Sequence, residues 1–394
     1  MADALYYTPY SQAIFEDPYP LYRRLRDEAP VYPDPDGRWQ VISRFDDVWE
    51  ALRDWQTFSS DQGPAPENPD RGGEKYSIVS MDPPRHDLVR GMLNRLFTPR
   101  AVEAMDDALR RIVRAHVDGL ERGTTVDAMQ AFAFNIPTDV IGELLGVPPA
   151  DRAQLREWWE LFLSRDDGSV AMPKRAIDAS RKISKYIGAL IEERRQEPED
   201  DLISRVLAAE YDDPESGATS LSPHEVLMFC NLLSAAGSET TQKLLSNSLV
   251  ALDEHRDQWE LLKERRDLIP QAVDEALRYD TPSHWVARTT TRDVDLAGTP
   301  IPKGDWVLLL LGSANRDERQ YVDPDDFLVE RARQQTVFFG WGRHVCLGQW
   351  LARREAAIVL EEIVERFPNY RLGATERMLT ATVRGYTRVE MELR

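Results

Sequence analysis

The sequence has few cysteines, no long hydrophobic run and a deficit of positive charge. Its two cysteines, Cys230 and Cys346, lie far apart and outside any CxxC or Cys/His cluster, so neither a disulfide framework nor a structural zinc site is supported, and a reducing, cytoplasmic setting is expected. The longest apolar run, residues 306–311, is too short to cross a membrane, and the N-terminal segment lacks the pattern of a signal peptide. Lys and Arg total 49 against 68 Asp and Glu, and the resulting net charge of −19 is the wrong sign for binding nucleic acid.

What the sequence does contain predicts one mainly helical domain with small β-sheets, of the α+β class, spanning residues 1–394. Apolar residues recur at helical spacing, with short breaks, from about residue 84 to 278. Ser222 and Glu225 form a capping-box pattern that predicts the start of a helix running to about Leu252. A helix of that length can cross a whole domain.

Shorter segments predict strands and one long loop. Residues 30–32 and 39–43 flank an Asp-Gly turn and predict a hairpin, and the stretches VARTTT and WVLLLLG predict further strands. A final helix is expected from about residue 348 to 367. Residues 57–80 are polar and rich in glycine and proline, which is typical of a surface loop, and such loops often cover binding sites.

The strongest local signal is the segment from residue 338 to 348, called the cysteine loop below. Its glycines let the backbone wrap closely around a bound group, and Cys346 falls where the final helix begins. Unpaired N–H groups at that helix start favour a thiolate, and Arg343 and His344 are expected to add positive charge. Such a thiolate is either a nucleophile or a soft metal ligand, and a plain buried cysteine in a glycine turn is the alternative.

Five motifs, in order along the chain, resemble those of the cytochrome P-450 superfamily. The cysteine loop resembles the family's haem-binding F-G-x-G-x-H-x-C-x-G sequence, continued by LAR. Residues 235–241 resemble its A-G-x-[D/E]-T-T oxygen-activation segment, and residues 275–278 resemble its E-x-x-R pair. The meander at 324–331 and the D-P-P-x-H-x-x-x-R segment at 82–90 match as well. The resemblance covers about residues 17–388 and implies the P-450 fold, with a long central helix over a haem.

The resemblance implies a haem b cofactor, iron protoporphyrin IX, with Cys346 as the protein ligand of its iron. Thiolate ligation of haem iron favours cleavage of the O–O bond. Four residues match family positions that bind the haem propionates: His86, Arg90, Arg288 and His344. The other expected cofactor-binding residues are Gly237, Phe339, Gly340 and Gly348. Thr336 replaces a histidine that many bacterial members have, so one propionate contact is expected to be weaker or mediated by water. The sequence suggests no role for Trp341.

One face of the long predicted helix carries the expected catalytic groups. Helical spacing places five residues on that face: Leu233, Ala236, Gly237, Thr240 and Leu244. The resemblance implies that Gly237 leaves room for the macrocycle and dioxygen. Thr240 and Glu239 are the expected catalytic pair, because a hydroxyl can pass protons that a carboxylate resupplies from solvent. A kink in a packed helix is the alternative reading of the same residues.

The resemblance also implies a substrate pocket and a supporting network. The pocket is expected to be lined by the loop at 57–80 and by these residues: Leu233, Ala236, His284, Trp285, Val286, Thr382 and Val383. The expected substrate is hydrophobic, of the terpenoid, steroid, fatty acyl or polyketide-like kind. Glu275 and Arg278 are expected to join Arg331 in a buried network with a folding role, although an exposed pair is the default for E-x-x-R. Cys230 is expected to be core.

Together these features predict a haem-thiolate monooxygenase that inserts one atom of O2 into a C–H or C=C bond. Electrons are expected from a separate ferredoxin or flavodoxin and its reductase, docking on a basic island of Arg95, Arg100, Arg343 and Arg353. A peroxide-driven oxygenase is one alternative, although the Glu239–Thr240 pair argues against it. Others are a haem protein that binds ligands without turnover and a haem-free helical binding domain.

Overall fold

The computed structural model of the chain describes residues 4–66, 77–163, 172–213, 217–378 and 382–394. Within these ranges the backbone is mainly helical with three small sheets, as the sequence predicts. Much of the loop predicted at residues 57–80, namely 67–76, lies outside the described residues. Among the described residues, no helix is both long enough and apolar enough to cross a membrane.

The α-helices in chain order are α1 Gln12–Glu16, α2 Tyr19–Glu28, α3 Phe45–Arg53, α4 Arg85–Asn94, α5 Pro99–Glu103, α6 Asp106–Val117, α7 Asn135–Leu144, α8 Pro149–Leu163, α9 Lys174–Gln196, α10 Leu202–Leu207, α11 Pro223–Glu254, α12 Arg256–Glu264, α13 Ile269–Tyr279, α14 Leu311–Ala314 and α15 Gln349–Arg366. The strands are β1 Val31–Pro33, β2 Gln40–Ile42, β3 Phe58–Ser59, β4 Thr125–Asp127, β5 Val286–Thr290, β6 Val294–Leu296, β7 Thr299–Ile301, β8 Trp306–Leu309, β9 Arg371–Arg377 and β10 Tyr386–Glu392.

The long helix α11 is central to the fold. The Ser222 hydroxyl accepts a hydrogen bond from the Glu225 backbone N–H, and the Glu225 carboxylate accepts one from the Ser222 N–H at 2.8 Å, which completes the predicted capping box. The helix has 32 residues, which corresponds to about 48 Å. It packs against α7, α9, α13 and α15. The predicted helix is therefore confirmed, and it ends two residues beyond the expected Leu252.

The largest sheet has the strand order β1-β2-β8-β5-β3. Strands β1 and β2 form the predicted antiparallel hairpin, in which Val31 pairs with Ile42, and β2 pairs in parallel with β8. A second sheet has the order β4-β10-β9 and brings the C-terminal strand beside α11. The start of β5 and the turn before it border one cavity together with Thr240, Thr241 and Leu244 of α11.

Two apolar clusters meet along α11. One contains the C-terminal half of α11 with α6, α13 and α15, and the other contains its N-terminal third with α4, α9 and α10. Cys230 is fully buried in the second cluster, where burial raises the pKa of its thiol to about 12, so its prediction as core is confirmed. Between the two clusters, residues 233–241 of α11 border an internal cavity instead of packed side chains.

Candidate active site

The cysteine loop reaches α15 through a backbone path that requires glycine. Gly340 and Gly342 have φ values of +68° and +70°, which side chains other than glycine rarely adopt. A Cβ atom on Gly342 would lie 2.7 Å from the carbonyl oxygen of Leu52, so the loop approaches the end of α3 closely. The N–H of Cys346 donates to the Phe339 carbonyl at 2.9 Å. These constraints fix the sulfur just before the first turn of α15.

The thiol of Cys346 lies in a buried environment with few compensating charges. Burial raises its pKa, while a hydrogen bond from the Gly348 N–H and the charges of Arg90 and Arg353 oppose that rise. A thiol in this setting becomes a thiolate most readily when a metal cation binds the sulfur.

The expectation that Arg343 and His344 add charge to the sulfur is wrong. Arg343 points outward, is 42% exposed and forms an ion pair with Asp87. Burial lowers the pKa of His344 to about 2, so the imidazole is neutral. The short 3₁₀ turn Gly342–His344 directs one of these side chains to solvent and the other inward, which the sequence spacing could not show.

Two adjoining cavities open between α11 and the cysteine loop, and we call them together the central cavity. They share eight lining residues: Thr240, Thr241, Val286, Arg288, Phe339, His344, Cys346 and Ala352. From α11, Leu233, Ala236 and Gly237 also line this space, and Leu244 lines the part nearer β5. The predicted face of the long helix and the predicted metal ligand therefore border the same cavity.

Two features of the α11 wall bear on its expected chemistry. The Thr240 hydroxyl donates to the Ala236 carbonyl at 2.7 Å, four residues back, a bond that competes with the regular helix ladder. A Cβ atom on Gly237 would lie 2.6 Å from Cδ1 of Ile141 in α7. The absence of a side chain at Gly237 thus allows α7 to pack closely against α11, and Gly237 also borders the cavity. Glu239 is half-buried on the adjacent face and does not line the cavity.

One end of the central cavity carries buried nitrogen atoms that lack partners among the described residues. Arg288 is 6% exposed, donates only to the Ala287 carbonyl, and forms no carboxylate ion pair in the described part of the chain. Burial lowers its pKa to about 10. The Nε2 atoms of His86 and His344 are also buried, with no hydrogen-bond partner in the part of the chain that the structure describes, and the centroids of the two rings lie 4.2 Å apart. Arg90 contributes a half-buried guanidinium that donates to the Val345 carbonyl at 2.5 Å.

These observations fit an iron porphyrin. Its iron would meet the thiol at Cys346, and its two carboxylates would satisfy Arg288 and the neighbouring donors, because an unpaired buried guanidinium is costly. Phe339, Gly340 and Gly348 border the cavity on the cysteine side. The residues present therefore suit the group that the sequence resemblance implies.

The structure corrects the prediction that His284 and Trp285 line the substrate pocket. His284 is 3% exposed, and its Nδ1 atom lies 2.9 Å from the Tyr22 hydroxyl oxygen. Asp280 lies 3.8 Å from its other ring nitrogen, and burial lowers the pKa of the ring to about 4. Trp285 packs with Tyr22 in the cluster around α2, on the opposite side of the strand from Val286, which does line the cavity.

Thr382 and Val383 lie one step behind the cavity wall and do not line it. The Thr382 carbonyl accepts a hydrogen bond from the His284 N–H at 2.9 Å, and Val383 pairs with Ser283 in an isolated bridge. Ser283 itself borders the cavity. The C-terminal segment therefore supports this wall from behind.

Several lining residues were missed from the sequence. Most are apolar side chains on elements that only tertiary packing brings together: Ile78, Val79, Phe97, Ile141, Phe229 and Leu232. A charged residue that was also missed is Glu355 of α15, which is 2% exposed and has an Oε1 atom with no hydrogen-bond partner among the described residues. Burial raises its pKa to about 8. Its spacing of three residues from Ala352 was the available signal that both lie on one helix face.

Comparisons with known proteins decide the family. Residues 169–371 match the family model described as cytochrome P-450, about half of the chain. Cytochrome P-450 130 of Mycobacterium tuberculosis is 37% identical over 373 residues, covering 91% of this chain and 90% of that protein. The chain belongs to the cytochrome P-450 family. It is therefore a haem-iron monooxygenase, an oxidoreductase.

Solved structures of other P-450 enzymes have the same fold as this P-450. CYP109Q5 from Chondromyces apiculatus gives a TM-score of 0.87 at 34% identity, with 97% of each chain covered. CYP109E1 from Bacillus megaterium, in complex with testosterone, gives 0.85 at 31% identity and covers 96% of this chain and 99% of its own. The predicted fold is thereby confirmed.

In this P-450 the E-x-x-R pair forms part of a buried network. Glu275 is 4% exposed and accepts two hydrogen bonds from Arg278 at 2.8 Å, one from Arg331 at 3.0 Å and one from the Leu328 N–H at 2.9 Å. Both guanidinium groups also donate to backbone carbonyls between residues 315 and 326. The network ties α13 to the meander that precedes the cysteine loop.

Proposed function

We propose that this P-450 hydroxylates or epoxidises a neutral hydrophobic molecule of the terpenoid, steroid or polyketide-like kind. The apolar wall of the central cavity carries the proposal, because Ile78, Phe97 and Phe229 line it with other apolar side chains. Its charged lining residues are Arg90 and Arg288 at one end and Glu355, whose raised pKa favours the neutral acid. A free fatty acid would have to place its carboxylate against apolar side chains, so neutral substrates fit better.

The proposed cofactor is haem b, with Cys346 as the iron ligand. When bound, the haem supplies the activation of O2. Arg90 and Arg288 hold the carboxylate groups with help from His86 and His344, and Arg288, which forms no ion pair with a described residue, gains a direct anionic partner. The glycine positions of the cysteine loop and Gly237 leave space for a flat ring.

Thr240 and Glu239 are the proposed proton-transfer pair. The Thr240 hydroxyl borders the cavity and can rotate between the Ala236 carbonyl and a group inside the cavity. Glu239 is half-buried one residue earlier, and its charge also raises the pKa of Lys243, which burial lowers to about 8. This arrangement supports proton delivery from the outer side of α11 to the cavity side. It favours O2 over peroxide as oxidant, because O2 activation consumes protons that peroxide already carries.

We propose that the electrons come from a ferredoxin or flavodoxin with its reductase. Arg95 and Arg100 are exposed and form no ion pair with any residue the structure describes. Arg343 and Arg353 are compensated within the chain by Asp87 and Asp274. Among the four arginines expected at the docking surface, the first two therefore provide most of the attraction for an acidic partner. The cytoplasmic location and the single domain over residues 1–394 stay predictions.

Incubation with a defined panel tests this function. Purified enzyme is supplied with NADPH, a plant-type ferredoxin and its reductase, and with neutral steroids, terpenoids and macrolactones beside free fatty acids. We expect a substrate-induced Soret shift with neutral compounds, and products that carry one ¹⁸O atom when the reaction runs under ¹⁸O2. Thr240→Ala should consume NADPH with less product. Label derived from water, or turnover with hydrogen peroxide alone at the same rate, would contradict the proposal.

A further inference from the structure

A buried lysine lies one helical turn after the expected proton-transfer residues on α11. Lys243 is 3% exposed, and its ammonium group donates to the Tyr386 carbonyl at 3.0 Å. It forms no ion pair with any residue that the structure describes. Because lysine is almost never fully buried without a paired charge, its presence at this position requires an explanation.

The backbone beside Lys243 leaves room for its long side chain. A Cβ atom on Gly385 would lie 2.5 to 2.8 Å from the Cδ, Cβ and Cγ atoms of the lysine, so a larger residue there would collide with it. One turn further along α11, the Asn247 amide donates to the carbonyls of Asp280 and Arg384, at 2.7 and 3.2 Å. Lys243 and Asn247 therefore hold the backbone on both sides of Gly385 against α11.

The segment that Lys243 holds also supports the wall of the central cavity. The Arg384 N–H donates to the Pro282 carbonyl at 2.8 Å, and Val383 pairs with Ser283 in the isolated bridge. Pro282 and Ser283 both line the cavity. The ammonium group is thus fixed relative to both α11 and the cavity wall.

Glu239 is the carboxylate whose charge acts on Lys243. Burial lowers the pKa of Lys243 to about 8, and the negative charge of Glu239 opposes that shift. The two residues are four positions apart on α11, so their side chains share one face of the helix. Their mutual attraction favours the charged ammonium and the ionised carboxylate.

The neighbouring segments carry four other charged or titratable groups, namely Asp280, Arg377, Arg384 and Tyr386. The Asp280 carboxylate pairs with both arginines, at 3.1 and 2.8 Å. Burial raises the pKa of Tyr386 to about 12, so its hydroxyl stays neutral. These groups therefore leave Glu239 as the main charge opposite Lys243.

We propose that Lys243 is a positioning residue for proton transfer, whose fixed positive charge orients the Glu239 carboxylate and returns it to the ionised form after each proton passes to Thr240. This rests on the proposed function, in which Glu239 and Thr240 deliver protons to the cavity. A proton from solvent binds the carboxylate and passes to the Thr240 hydroxyl, and the nearby positive charge makes that release easier. Lys243 itself neither donates nor accepts the transferred proton.

The product formed per NADPH consumed, measured on both sides of pH 8, tests this role. Lys243→Met keeps an apolar stem and removes the charge. The wild-type yield should fall as the pH rises through the lysine pKa of about 8, whereas the variant should give a yield at least about threefold lower below that pH and change little across it. Lys263→Met, at a surface lysine paired with Glu260, is the matched control and should keep the wild-type profile. Haem content and reduction by dithionite should be the same in all three proteins.

A double-mutant cycle separates this role from a purely structural one. In the Glu239→Gln background, Lys243→Met should cause no further loss of yield, because the carboxylate on which the charge acts is gone. A further loss of the same size in that background would contradict the proposal. Lys243→Gln can still donate to the Tyr386 carbonyl and should behave like Lys243→Met. A wild-type yield in Lys243→Gln would show that only the hydrogen bond matters, and the proposal would then be wrong.

Unfolding measured against pH gives a readout that needs no turnover. Because the pKa of Lys243 is about 8 in the folded chain against an ordinary 10.5, the unfolded chain holds a proton between these values that the folded chain releases, and stability rises with pH. Relative to Lys243→Met, the wild-type unfolding constant should fall at least about tenfold across that range. The same pH dependence in both proteins would rule out a buried charge at Lys243.

The outcomes also separate this role from the proposed function. An unchanged yield in Lys243→Met, with an active wild type, would overturn the role of Lys243 and leave the monooxygenase standing. A wild type that forms no product would overturn the proposed function and this role together.

Discussion

Replacing Glu275 with glutamine should destabilise the protein by about 3 to 5 kcal/mol, the usual cost of removing one partner from a buried ion pair. The substitution keeps the shape of the side chain, so no cavity contributes. It removes the charge that compensates Arg278 and Arg331, which are 2% and 11% exposed, and it puts an NH2 group where an acceptor is needed. Because domains are stable by only about 5 to 15 kcal/mol, this loss should also reduce haem retention.

Urea denaturation followed by fluorescence measures this change. Glu260→Gln is the matched control, since Glu260 is paired with Lys263 at 2.6 Å on the surface and should lose less than about 1 kcal/mol. In the Glu275 variant the urea concentration at the unfolding midpoint should fall, while the dependence of the unfolding free energy on urea concentration stays the same. A loss below about 1 kcal/mol in Glu275→Gln would refute the supporting role of the network, as would an equal loss in the control.

Three further predictions concern the cavity. Glu355 has a pKa of about 8 against an ordinary 4.5, so between these pH values the folded state keeps a proton that the unfolded chain releases. The free energy of unfolding should therefore fall by roughly 4 kcal/mol from pH 4.5 to 8, and Glu355→Gln should remove this pH dependence when denaturation is measured across that range. Gly237→Ala should cost about 1 to 3 kcal/mol through its clash with Ile141, and adding Ile141→Ala should recover part of it; additive losses in the double-mutant cycle would count against the clash. Arg288→Leu should release haem to apomyoglobin at least about tenfold faster, whereas Arg292→Leu, an exposed arginine just beyond the same strand, should not; equal rates would remove Arg288 from the cofactor site.

The sequence predicted those parts of the fold whose signals are local. The start of α11 followed from the capping box of Ser222 and Glu225, because both partners lie within one helical turn. The shared face that contains Gly237 and Thr240 followed from helical spacing in the same way. The glycines of the cysteine loop likewise indicated backbone conformations that the structure has at Gly340.

The remaining features depend on partners that are distant in sequence. His284 was assigned to the pocket by its position along the chain, but its orientation is set by the Tyr22 hydroxyl, 262 residues away. Arg343 was expected beside the sulfur, yet Asp87, 256 residues away, holds it at the surface. Spacing along a chain gives the order of residues and the face of an element. It does not reveal which distant polar group binds a particular side chain.

The absorbance spectrum of the reduced, carbon-monoxide-treated protein tests the central claim most directly, namely that Cys346 holds the haem iron through its sulfur. The wild type should give the strongly red-shifted Soret band of thiolate ligation. Cys346→Ala should lose that band, and Cys230→Ala, the matched variant at the buried core cysteine, should keep it. Persistence of the band in Cys346→Ala, or its loss in Cys230→Ala, would contradict the account.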